Sequence, residues 1–135
     1  KTSMHIPSCD FSYMISPAQF EEFGLPILQE EVKIADHNIF HMDGKGVSNH
    51  VDLICSVKEI QAVQWVQGEG AKPVMQWVPL IKKIQSLGKS VVVYLASHEI
   101  EEFISEVNPK GIYLMCEEGD RETQKSIIKR LEKWV

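Results

Sequence analysis

The feature that most constrains this chain is its rhythm. Short apolar, β-branched runs alternate with amphipathic stretches about five times along 135 residues, and the joints between them are short. The strand candidates are a short run within Ser8 to Ile15, then Asn38 to Met42, Ile60 to Val66, Ser90 to Leu95 and Ile112 to Met115. Ser90 to Leu95 is nearly all apolar, as suits a strand buried on both faces. Lys1 to Pro7 carries no pattern.

The stretches between the strands read as helices. Ser16-Pro17 makes an N-cap and a first-turn proline. Phe20, Phe23, Ile27, Val32 and Ile34 then give an apolar stripe, with Pro26 as a kink. A second helix spans about Ser48 to Ser56. A third runs from Pro73 through Val78, Ile81 and Ile84 to a glycine C-cap at Leu87-Gly88. Ser97 caps a fourth with Phe103, Ile104 and Val107 inward, and Asp120 to Val135 forms a fifth carrying Ile127, Ile128 and Leu131.

Alternation with short loops predicts an α/β fold of parallel strands with helical crossovers. Two architectures satisfy it: an open doubly wound sheet, or part of a TIM-type (β/α)8 barrel, which needs about 250 residues when complete. A nucleotide-binding sheet normally carries GxGxxG or GxxxxGKS. Gly44-Lys45-Gly46 and Gly68-Glu69-Gly70 fit neither, so a nucleotide site is not expected.

Composition narrows the partners. A hydrophobic share of 44% and a charged share of 24% belong to one globular domain spanning residues 1–135. A net charge of −5 and a pI near 5.5 argue against nucleic acid, since phosphate binding wants a basic face. No apolar run approaches the ~18 residues of a membrane span. Cys9, Cys55 and Cys116 are odd in number and widely spaced, which fits a reducing cytoplasm better than a disulfide framework.

The chemistry gathers at Ile39-Phe40-His41-Met42-Asp43-Gly44-Lys45-Gly46. On a strand, His41 and Asp43 point the same way. Parallel folds keep their sites where such strands end. The pair reads as metal ligands, as a general acid and base, or as a hydrogen-bonded strand end with an Asp-Gly turn. Asp10 after the first strand, Trp65 and Gln67 at the end of the third, and His98 after the fourth could line the same mouth. Cys116 sits where the last strand meets Glu117-Glu118-Gly119, as a ligand or as a small buried hydrophobe. Cys9 and Cys55 look structural.

Three segments carry a resemblance: ISPAQFEEFGLPIL (Ile15 to Leu28), FHMDGKG (Phe40 to Gly46) and VQWVQGEG (Val63 to Gly70). Together they resemble the C-terminal part of the uroporphyrinogen decarboxylase superfamily. The combination of SP..F..F..P with a strand ending in H-x-[CD]-G is fairly specific, and the similarity runs from about Cys9 to the end. It is closest to decarboxylase-like proteins and corrinoid-dependent methyltransferases. The resemblance implies the C-terminal portion of a (β/α)8 barrel acting on a small molecule, with open sheet edges through which copies of the chain could associate. It also implies methyl transfer from a corrinoid, held on a partner protein, to a thiol-type acceptor activated by zinc.

Carried over by residue, His41 matches the family histidine, Asp43 stands where a ligating cysteine is expected, and Cys116 matches a late cysteine. Oxygen in place of thiolate weakens the preference for a soft metal. The decarboxylase's own porphyrinogen-binding arginines and aspartate belong largely to a segment absent here. Its C-terminal glycine- and histidine-rich loop is replaced by GIYLMCEEGD. The resemblance therefore does not extend to uroporphyrinogen decarboxylase activity.

Overall fold

The computed structural model describes residues 2–68, 70, 73–116 and 119–134. Lys1, Glu69, Glu117, Glu118 and Val135, all within segments read from the sequence above, lie outside them. The chain forms one parallel sheet of five strands in the order β1-β2-β3-β4-β5: Met4–His5, His37–Asp43, Ile60–Val66, Ser90–Leu95 and Ile112–Cys116. This sequential order has no switch point, so the sheet is not doubly wound. Right-handed crossovers in one direction place the helices on one face.

The helices are short. They comprise α1 (Pro17–Gln19), α2 (Leu25–Glu31), α3 (Gly44–Ser48), α4 (Val51–Ser56), α5 (Val78–Ser86), α6 (Ile100–Glu106) and α7 (Arg121–Leu131). Ser16 does cap α1, its side chain accepting from the Gln19 N–H while the Gln19 side chain accepts from the Ser16 N–H. Ser97 does not cap α6, which begins after Glu99. The expected first strand within Ser8 to Ile15 is instead a single bridge at Ser8 followed by a 3₁₀ segment, Asp10–Met14. The first true strand lies in the unpatterned Met4–His5.

Burial divides the sheet cleanly. Phe40, Met42, Val63, Trp65, Val91, Val93 and Leu95 sit in the helix-side core together with Ile54, Ile81, Ile84 and Phe103. The opposite face, carrying Ile39, Val92, Tyr113 and Met115, is half-buried or exposed; Tyr113 is 66% exposed. The β4 strand is therefore buried on one side only. At the start of β2 the register slips: Asn38 pairs with Ile60, but Ile39 pairs with Ala62. Gln61 is the extra residue, and its side-chain oxygen accepts from the Asn38 N–H at 2.7 Å.

The last helix is tied back by Arg130. Its guanidinium forks onto both oxygens of Glu101 and also donates to the Ser97 carbonyl. The Arg130 hydrogen bond holds the Glu101 carboxyl down at about 2, against an ordinary 4.5. A depressed carboxylate contributes stability above its unfolded value and loses it as pH falls through the folded one. Between about pH 4.5 and 2 the wild type should therefore lose its advantage over Glu101→Gln. Urea midpoints of both proteins across that window check this, and a constant difference would refute it.

Candidate functional site

The site is built where β2 and β3 end on the uncovered face. Ladder register places His41 beside Gln64, and Asp43 beside Val66. A cleft at this end is lined by Asp10, Tyr13, Asp43, Lys45, Gln67 and Trp77. A contiguous recess brings in His41 and Tyr94 beside Asp43 and Gln67. Thus His41, Asp43, Asp10 and Gln67 do converge on one mouth.

Asp10 arrives there because the chain past β1 follows β2. Ser8 bridges to His41, and the Pro7 carbonyl accepts from the His41 N–H at 2.8 Å. The 3₁₀ segment is then fixed by His50, which is fully buried. Its Nε2 donates to the Ser12 carbonyl at 2.8 Å, and its ring stacks on Phe20 with centroids 4.6 Å apart. Nothing in the spacing of His50 marked it for this task.

Tyr13 from the same segment packs closely against the start of α3. A methyl group at Gly46 would sit 2.5 Å from the Tyr13 ring and 2.8 Å from its carbonyl oxygen. A backbone atom cannot yield as a flexible side chain can, so only glycine fits. Gly46→Ala is expected to cost about 1–3 kcal/mol by overpacking and to push Tyr13 off the cleft. Urea denaturation, with ligand binding measured on the folded fraction, reads both effects; an unchanged midpoint would refute the close approach.

Three expected site residues lie elsewhere. Trp65 is in register with Met42 and Val93, fully buried on the helix side. It is Trp77, packed on Trp65 at 4.7 Å between ring centroids, that reaches the mouth. Cys116 is in register with Leu95, a helix-side residue, and packs half-buried against that core. With β3 and β4 between it and β2, it does not join His41 and Asp43. His98 is exposed in a neighbouring recess with Glu99 and Met115.

Zinc is poorly served by this arrangement. Among the described residues no group of three or more His, Cys, Asp or Glu side chains could hold a metal ion. Structural and catalytic zinc both need at least three protein ligands. Cys55, by contrast, is as structural as its position suggested: burial pushes its thiol up to about 11.

Sequence reasoning missed Gln64 and Tyr94. The Gln64 amide oxygen lies 2.8 Å from His41 Nδ1, and its amide nitrogen donates to the Tyr94 hydroxyl at 2.7 Å. The clue was parity: near the end of β4 a polar aromatic, Tyr94, stands between the core residues Val93 and Leu95.

The fold and cleft define an α/β protein with a one-sided parallel sheet and a polar site at the strands' carboxyl ends. No protein-family model, curated protein or solved structure matches the chain. Among the described residues no helix is long and apolar enough to cross a membrane.

Proposed function

We propose that the chain is the C-terminal portion of a uroporphyrinogen-decarboxylase-like (β/α)8 barrel whose strand-end cleft takes part in methyl transfer from a corrinoid on a partner protein to a small thiol. The observation that carries this reading is the convergence of Asp10, His41, Asp43 and Gln67 on the carboxyl ends of consecutive parallel strands. The apolar uncovered face supports the barrel, because parallel sheets are almost always covered on both sides.

The corrinoid supplies the methyl group. The chain's own residues must bind the acceptor and take its proton. His41 accepts the thiol proton, Asp43 and Gln67 orient the acceptor's polar groups, and Trp77 walls off water. No step is routed through a metal, since among the described residues the side chains assemble no three-ligand set.

The test is loss of the cobalt–methyl absorbance when the chain meets methylcobalamin and a panel of small thiols. His41→Ala should slow turnover about 10²–10⁴-fold, the usual contribution of a positioned base. Equal rates in both proteins would remove the reading. Among the described residues no three-ligand group serves the zinc that the resemblance implies, which favours one other reading, a small-molecule binding module without chemistry. Saturable quenching of tryptophan fluorescence by a thiol, with no methyl loss, would establish it.

A further inference from the structure

We propose that Gln64 is the positioning residue of this site, fixing the tautomer of His41 and with it the kind of group the cleft accepts. The inference rests on the reading of the strand-end cleft as the functional site. His41 on β2 and Gln64 on β3 stand in register, Tyr94 on β4 reaches Gln64 from two residues beyond its register partner Val92, and the three form one hydrogen-bonded row on the uncovered face.

The direction of that row follows from the amide. Gln64 presents its oxygen to His41 Nδ1 and its N–H to the Tyr94 hydroxyl. A carbonyl oxygen only accepts, so the imidazole proton sits on Nδ1. Nε2 then carries the lone pair, and among the described residues it has no hydrogen-bond partner. The Tyr94 hydroxyl, which can donate as well as accept, completes the row. If the amide turned over, its N–H would face His41, and the proton would move to Nε2.

The consequence is chemical selectivity. A neutral His41 with its lone pair on Nε2 accepts a hydrogen bond and can take a proton. The cleft therefore recognises a ligand whose group at this point is a donor, such as a thiol, a hydroxyl or an amide N–H. A carboxylate or phosphate oxygen offers that lone pair nothing. Gln64 performs for His41 the task that an outer partner performs wherever a histidine must present one chosen nitrogen.

Long-range ¹H–¹⁵N correlation spectra at about pH 8, above the ordinary imidazole range, report the tautomer directly. His41→Ala assigns the signal. The wild type is expected to carry the proton on Nδ1, and Gln64→Leu to shift it largely to Nε2 while the amide spectrum stays native. Gln64→Glu keeps an acceptor in place and is expected to retain Nδ1–H; it carries the test alone if the leucine variant does not fold. A wild-type proton on Nε2 overturns the proposal, and so does a native-like Gln64→Leu with an unchanged tautomer. A merely structural Gln64 would alter stability without moving this signal. The spectra require no ligand, so the proposal can fail while the cleft still binds thiols, or hold while it does not.

Discussion

Trp65→Ala is expected to lower the unfolding free energy by about 3–5 kcal/mol, the usual cost of truncating a large buried aromatic. Domain stabilities are about 5–15 kcal/mol, so this single change removes about a fifth or more of the total. The reason is position. Trp65 is fully buried in the helix-side core and backs Trp77 at 4.7 Å. Its removal leaves a cavity and also loosens the ring that walls the cleft. Among the described residues its indole Nε1 is buried without a partner. Trp65→Phe sheds that unsatisfied N–H, worth about 1–3 kcal/mol, and so should cost far less than the alanine change. Chemical denaturation of the two variants checks the pair. Equal losses would mean that the ring volume is not what matters.

The second large effect is expected at Asn38, which is fully buried. Its amide nitrogen donates to the Val32 carbonyl at 2.9 Å and the Glu59 carbonyl at 3.0 Å. These bonds join the end of the first helical region, the start of β2 and the turn before β3. Leucine has the same branching and number of heavy atoms but donates nothing. Asn38→Leu should therefore cost about 2–3 kcal/mol, since carbonyls left unpaired in the interior carry most of their desolvation penalty. A urea midpoint within error of the wild type would mean that both carbonyls find other donors. The register slip at Gln61 is expected to loosen too, and hydrogen exchange at the Asn38 and Ile39 amides would report it.

Much of the fold was legible because it is written in local chemistry. Ile60 to Val66 and Ser90 to Leu95 are β-branched runs bounded by turn residues, and both strands have those bounds. The reading of the first helical region failed for a geometric reason. Phe23, Ile27 and Ile34 are exposed, at 61%, 68% and 70%, whereas Phe20, Leu28 and Val32 are buried. A π-helical turn, Phe20–Gly24, inserts extra rotation and shifts the phase of everything after it. Met4–His5 was invisible because two residues have no period. They become a strand only through pairing with His37 and Asn38.

The misplaced site residues have a similar cause. In an unbroken register Asp43 would oppose Trp65, and the tryptophan would face the mouth. The extra residue Gln61 flips the parity of β3, so Asp43 opposes Val66, and Gln64 takes the place beside His41. Cys116 follows the parity of Leu95, its partner in the unbroken β4–β5 register, and turns to the helices.

The sequence by itself determined the alternation of strand and helix, the parallel class, and the stretch that holds His41 and Asp43. Those properties depend on residues a few positions apart, where side-chain periodicity and turn chemistry act directly. The tertiary structure alone decided which residues share the cleft, that one sheet face stays uncovered, and that Gln64 links His41 to Tyr94 by hydrogen bonds. These depend on strand register and order, where one inserted residue reverses a face and no local signal records the reversal.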